Sequence, residues 1–269
     1  MICLQPDRLT VLTFHGVVKD GYTHPVRNQN GKHISDWQFR RIIRRLLLKG
    51  NPVPLDQLDE LPPYPYAVTF DDGFANVLRN AAPILRDLGI PATFFINPQF
   101  CYGFNSGHTW ADLLEQHYAT DDPSIAIARL RVHRDLVKNT PYIDPYRYAA
   151  WVLGDNTPEA DPALDPKLTW AQVKELADDP LFTIGGHGDT HRILTHLQGD
   201  ELEADIGTCQ SDLLMEVGPV TLFSYPDGRH NPKVVEALKR HGVTHAFTTE
   251  PGTWAPGDDP YLIPRLKAA

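Results

Sequence analysis

Apolar and polar positions along the chain fall into two rhythms. Residues 9–15 (LTVLTFH), 66–70 (YAVTF), 92–96 (ATFFI), 181–186 (LFTIGG), 220–226 (VTLFSYP) and 244–249 (THAFTT) are short, nearly continuous apolar runs. Such runs predict strands buried on both faces. Between them lie longer segments with apolar residues three and four apart. SDWQFRRIIRRLLLKG (35–50) opens with Ser35 and Gln38, a capping-box pair, and stops at Gly50. ANVLRNAAPILRDLG (75–89) places Val77, Leu78, Ala81, Ile84, Leu85 and Leu88 on one face and stops at Gly89. GDELEADIGTCQSDLLMEVG and NPKVVEALKRHG supply two further helices later in the chain.

Strands alternating with helices predict parallel βα units, arranged as a barrel or as an open doubly wound sheet. Residues 101–168 break the rhythm and read as several short helices with a Pro/Asp-rich loop. This segment is expected to be an insertion over the site, because a structureless loop of that length is unusual in a compact domain. The length of 1–269 suits one α/β barrel or two small domains, and a single domain is the expectation. The polar residues of chemical interest, His15, Asp71, Asp72, His187 and Tyr225, all fall where predicted strands end. Barrels and open sheets both gather their sites there.

Composition changes this picture little. The chain has 269 residues, 42% hydrophobic and 22% charged, enough to bury one sizeable core. Its net charge is −9, and the one basic block, RRIIRRLLLK, is interleaved with a helical apolar face. A nucleic-acid partner is therefore not expected. No apolar run reaches the roughly 18 residues of a transmembrane helix. The start, MICLQPDRLTVLTFHG, lacks the features of a secretory signal, which suggests a cytoplasmic protein; an exported one with its signal trimmed would read the same. Cys3, Cys101 and Cys209 are widely spaced and read as free thiols.

The segment AVTFDDG (67–73) ends a strand on two adjacent carboxylates. Like charges repel there, and burying either without a partner is costly. A cation resolves the problem, and TIGGHGDTHRIL supplies further ligands: His187 and His191 stand four apart, a spacing that puts both on one face of a helical turn. Two imidazoles and one carboxylate are a common catalytic Zn²⁺ set, and Fe²⁺ would also suit them. Asp72 is assigned to the metal. Asp71 remains free as general base for a water that the metal activates.

These segments resemble a known family. VTFDDGFANVLRNAAPILRDLGIPATFFI resembles the first signature of the polysaccharide deacetylases, the NodB-like carbohydrate esterases of family 4. IGGHGDTHRIL resembles their HxxxH signature, and FSYPDG their aromatic-Pro-x-Gly loop. The flanking segments are similar to the branch acting on poly-N-acetylglucosamine. The resemblance implies a distorted (β/α)7 barrel, a divalent metal, most commonly Zn²⁺, held by Asp72, His187 and His191, and removal of N-acetyl groups from an amino-sugar glycan. In that family a late LxxH motif supplies the acid that protonates the leaving amine. No such motif lies near this C-terminus, but Leu12–His15 (LTFH) ends the first predicted strand. His15 is then the general acid, on a strand moved to the front by circular permutation. The Asp227 N–H would bind the oxyanion; Tyr225, Trp110 and Trp254 are candidates for stacking on sugar rings, with core packing the usual fate of such residues.

The chain also departs from the family pattern. Gly188 stands where Thr or Ser is usual, removing a hydroxyl that could hold the metal site in shape. The Arg that usually opens the third signature and pairs with the free Asp is missing, with Ser224 and Tyr225 in that neighbourhood. Asp227 replaces a common Tyr, bringing a carboxylate close to the proposed oxyanion. Hydrolysis of a non-sugar amide and a silent glycan-binding homologue are the rival readings. The insertion is expected to act as a lid whose deletion would alter specificity before metal binding.

Overall fold

A computed structural model describes residues 2–22, 24–156 and 160–268. Among the described residues ten strands form: β1 (Thr10–Phe14), β2 (Gly16–Val18), β3 (His33–Ser35), β4 (Asn51–Pro52), β5 (Pro65–Phe70), β6 (Ala92–Ile96), β7 (Phe182–Gly186), β8 (Leu222–Ser224), β9 (His245–Phe247) and β10 (Arg265–Lys267). Seven of them run β10-β1-β5-β6-β7-β8-β9, every neighbouring pair parallel, with β4 added beside β5. A parallel bridge from Phe247 in β9 to Ile263, just ahead of β10, brings the two ends of this path together. The result is the expected barrel, nearly closed. The first strand lies between β5 and the last strand.

Strand parity decides what faces the interior. Phe14, Phe70 and Phe94 are in register and stack outward at 5.6 and 5.0 Å between ring centroids, where Phe39 also packs. The alternate positions Val11 and Ala67 belong to the inner cluster with Phe95, Phe247 and Ile263. Counting on by twos from Val11 gives Thr13 and His15; from Ala67 it gives Thr69 and Asp71. Arg265 is in register with Val11 and so joins the same face. The chemistry-bearing residues are thus continuations of the inward-facing rows at the strands' C-terminal ends.

Helices α1 (Asp36–Leu47), α2 (Asn76–Asn80), α3 (Ala82–Leu88), α4 (Pro98–Cys101), α5 (Trp110–His117), α6 (Pro123–Asn139), α7 (Pro145–Leu153), α8 (Trp170–Ala177), α9 (Asp200–Val217) and α10 (Pro232–Arg240) complete the fold. The capping box predicted at Ser35 and Gln38 is present. The segment 75–89, expected as one helical run, is broken at Ala81 into α2 and α3. Pro83 lacks an N–H, and its ring crowds the carbonyl four residues back, so a continuous helix cannot pass it. Gly89 ends α3 in the left-handed conformation, as its position suggested.

The insertion is more ordered than its sequence implied. Its helices α5, α6 and α7 pack around Trp110, Leu114, Tyr118, Ala126, Leu130, Val137 and Ala149, a separate apolar cluster. Among the described residues, no helix is long and apolar enough to cross a membrane. Cys3, Cys101 and Cys209 are free.

Candidate active site

Asp71 follows β5 into the barrel mouth, and its N–H donates to the Phe14 carbonyl at 3.0 Å. Asp72 then takes a left-handed φ of 66°, unusual for a residue with a side chain, which turns the second carboxylate away from the first. β7 delivers His187, whose N–H donates to the Ile96 carbonyl at 2.9 Å. Adjacent carboxylates therefore face different partners, which answers the repulsion that the sequence posed.

Asp72 Oδ1 lies 3.3 Å from His187 Nε2 and 3.1 Å from His191 Nε2. The helical turn expected to carry both histidines does not form: residues 187–193 are a loop. His191 itself has φ 54° and Gly188 φ 69°, and these reversals bring the two imidazoles together. A side chain at 188 would be strained by that φ and would meet Asp205 Oδ1 at 2.9 Å. Asp205 does the work once assigned to a hydroxyl at 188. It accepts from the Asp189 N–H at 2.9 Å and the Thr190 hydroxyl at 2.6 Å. Asn97 adds a second brace, donating to the carbonyls of His187 and Gly188.

His187 Nδ1 is 2.7 Å from the Ser224 carbonyl, an acceptor that requires the proton on Nδ1 and leaves the Nε2 lone pair directed at Asp72. One carboxylate oxygen and two imidazole nitrogens, all within 4.8 Å of one another, are a donor set that could hold a metal ion. Burial pushes the Asp72 carboxyl up, but the facing His191 and His187 imidazoles outweigh it and hold it well below its ordinary value.

Arg265, which sequence reasoning missed, supplies the partner of Asp71. Its guanidinium donates to Asp71 Oδ1 at 2.8 Å and Oδ2 at 2.6 Å, a two-pronged pair wholly inside the protein. The remaining N–H groups reach the Thr248 carbonyl, Thr69 Oγ1 and Ser224 Oγ. Burial raises the Asp71 carboxyl and Arg265 more than reverses this, so the group stays ionised. The arginine absent from the third signature therefore comes from β10.

His15 is partly buried beside these carboxylates. Its pKa is lowered, chiefly by burial, with Asp72 and Asp71 offsetting only part of that effect. Asp227 has φ 58° and sits second in a single helical turn, Pro226–Gly228. Its N–H has no carbonyl one turn back to donate to. Its carboxylate is occupied: it pairs with Lys138 and lies 3.6 Å from Arg229. Tyr225, Trp110 and Trp254 are only 0%, 3% and 4% exposed, so none offers a ring face to a sugar. Tyr225 instead donates its hydroxyl to the Tyr261 carbonyl at 3.0 Å.

The insertion grips this site at several loops. Its return segment pairs with the loop after Asp72: Leu168 N–H to the Gly73 carbonyl at 2.8 Å and Ala75 N–H to the Pro166 carbonyl at 2.8 Å. Tyr146 donates to the Thr190 carbonyl at 2.6 Å, and Arg192 to Asp144 at 2.8 Å.

A profile of the polysaccharide deacetylase family matches residues 59–125 and 137–246. YxkH of Bacillus subtilis (strain 168), named for the same family, is 21% identical over 266 residues, covering 98% of this chain and 73% of that protein. The structure of IcaB from Ammonifex degensii is similar with a TM-score of 0.67 and 20% identity, over 100% of this chain and 94% of that one. A de-N-acetylase from Aggregatibacter actinomycetemcomitans gives a TM-score of 0.61 at 18% identity, over 97% and 94% of the two chains.

Proposed function

The chain belongs to the polysaccharide deacetylase family, and from that premise we propose that it is a metal-dependent hydrolase removing N-acetyl groups from an amino-sugar glycan. One observation carries the reading: the Asp72–His187–His191 donor set stands beside an ionised carboxylate, Asp71, locked by Arg265. The donors suit Zn²⁺ best, two nitrogens and one oxygen with His187 already in the metal-binding tautomer. When bound, such an ion polarises a carbonyl and makes a water more acidic.

The chain's own groups divide the remaining work. Asp71 accepts the proton of the attacking water as its oxygen bonds to the acetyl carbon, and Arg265 keeps that carboxylate ionised and aimed. The Asp227 N–H donates to the oxygen of the tetrahedral centre. His15 gives a proton to the departing nitrogen as the C–N bond breaks, yielding acetate and a free amine. Acid and base thus come from neighbouring strands, β1 and β5, on the inward face of one barrel.

The test is acetate release from N-acetylglucosamine oligomers by the purified chain, with and without zinc. Activity should disappear on chelation and return with added metal. Asp71→Asn should cost about 10²–10⁴ in turnover, the usual worth of a general base, with metal content retained. Undiminished turnover in that variant, or release of ammonia or formate from small amides in place of acetate from glycans, would refute the reading.

A further inference from the structure

Asp227 poses an electrostatic difficulty that the insertion removes. Its backbone N–H is the oxyanion donor proposed above, yet its own side chain carries a negative charge one residue's width away. The backbone fixes where that side chain can go: φ is 58° at Asp227 and 70° at Gly228. A Cβ on Gly228 would lie 1.9 Å from Thr249 Oγ1, so the turn is seated tightly.

The Asp227 carboxylate is held by Lys138, a residue 89 positions earlier and the one lysine of α6, in its last turn. Arg229 lies 3.6 Å from the other carboxylate oxygen and is itself tied to the end of α6, donating to the Lys138 carbonyl and to Asn139 Oδ1. A guanidinium at a helix C-terminus satisfies a carbonyl that has no partner within the helix and suits the dipole there. Lys138, Arg229 and Asp227 thus form one bracket between the insertion and the third signature loop. Neither member of the Lys138–Asp227 pair is in the fully buried core: their side chains are 33% and 22% exposed.

We propose that Lys138 is a positioning residue: it turns the Asp227 carboxylate away from the scissile centre and so leaves the Asp227 N–H facing it. Without Lys138 the carboxylate keeps only the longer 3.6 Å contact to Arg229 and can swing towards the developing oxyanion and oppose it. The inference rests on the deacetylase reading for the role of the N–H. Through it, a helix with no residue among the metal donors, base or acid governs turnover.

The experiment uses the full, metal-loaded chain and the variants Lys138→Met, Lys138→Arg and Lys138→Met/Asp227→Asn. Lys138→Met should lower kcat about tenfold with KM little changed, less than the ~10²–10³ lost when an oxyanion donor is deleted outright. Lys138→Arg should keep most of the activity. The double variant, which has no charge to swing inward, should recover most of what Lys138→Met loses. A merely structural role predicts the opposite, a further loss in the double variant. Acetate affinity by calorimetry gives a second readout that needs no glycan: weaker in Lys138→Met and restored in the double variant. Unchanged kcat and acetate affinity in Lys138→Met, or no recovery in the double variant, would overturn the inference. Should the wild type release acetate from no glycan, the functional reading fails while the acetate series still judges Lys138.

Discussion

Arg265 commits its whole hydrogen-bonding capacity to one spot. Its five N–H donors meet two oxygens of Asp71, two hydroxyls and one carbonyl. A buried pair of this kind need not add much stability over an apolar replacement of both partners, but removing one partner strands a charge. Arg265→Met should therefore cost about 3–5 kcal/mol in urea unfolding and depress turnover as well. Arg265→Lys should lie between, since a lysine keeps the charge and loses the fork. Equal stability in wild type and Arg265→Met would contradict the pairing. Asp71, Asp72, His187 and His191 were legible in the sequence because each pair sits within a few residues of chain. Arg265 was not, because its partner is 194 positions away. One signal existed: in YLIPRL the arginine shares its strand face with Ile263, and a charge in an inward row asks for an opposite charge.

Among the elements, β1, β5, β6, β7, β8 and β9 were read to within two residues at each end, since their apolar runs are continuous, whereas the short β2, β3, β4 and β10 were not read. Two local readings failed for local reasons. Pro83 broke a helix whose apolar spacing was otherwise good, and left-handed residues at 188 and 191 gave a loop where spacing alone suggested a turn of helix. Pattern reports which residues share a face, and it is blind to φ. The insertion helices were underestimated because part of their stabilisation is ionic. Asp112 caps α5 and also accepts from Lys32 at 2.6 Å, with Lys167 at 3.3 Å. Glu115 on the next turn meets Lys32 at 2.8 Å and also pairs with Arg134 of α6. Burial raises the Asp112 carboxyl, but Lys167 and Lys32 overcome it and hold it well below its ordinary 3.8. A carboxylate depressed in this way stabilises the fold fully above its unfolded value, and that stability is lost as pH falls through the folded one. Asp112→Asn should thus be less stable by about 3 kcal/mol at pH 7. The gap should narrow as pH drops below about 4, because the unfolded chain's carboxylate then takes up a proton that the folded one does not. A gap independent of pH from 7 to 3 would count against the ionic account.

At the level of the molecule, barrel and insertion are interlocked. The insertion's return segment is hydrogen-bonded to the loop after Asp72, α7 is hydrogen-bonded to the histidine loop, and α6 holds the third signature loop. This arrangement departs from the lid that sequence alone suggested. Replacing 101–168 with a short flexible linker should weaken metal binding at least tenfold along with any change in specificity, because the loops bearing the donors lose their outer supports. Metal affinity unchanged by the deletion, with specificity altered, would restore the lid. The barrel itself was foreseeable from alternating strands and helices. How tightly the extra segment is bound to it was not, because these contacts run between distant parts of the chain.

The position of Arg265 on the last strand sets an order of events during synthesis. A ribosome releases Asp71 and both histidines well before it reaches β10, so a growing polypeptide holds those residues before the arginine that pairs with Asp71 exists. The Arg265–Asp71 pair can form only once β10 lies beside β1.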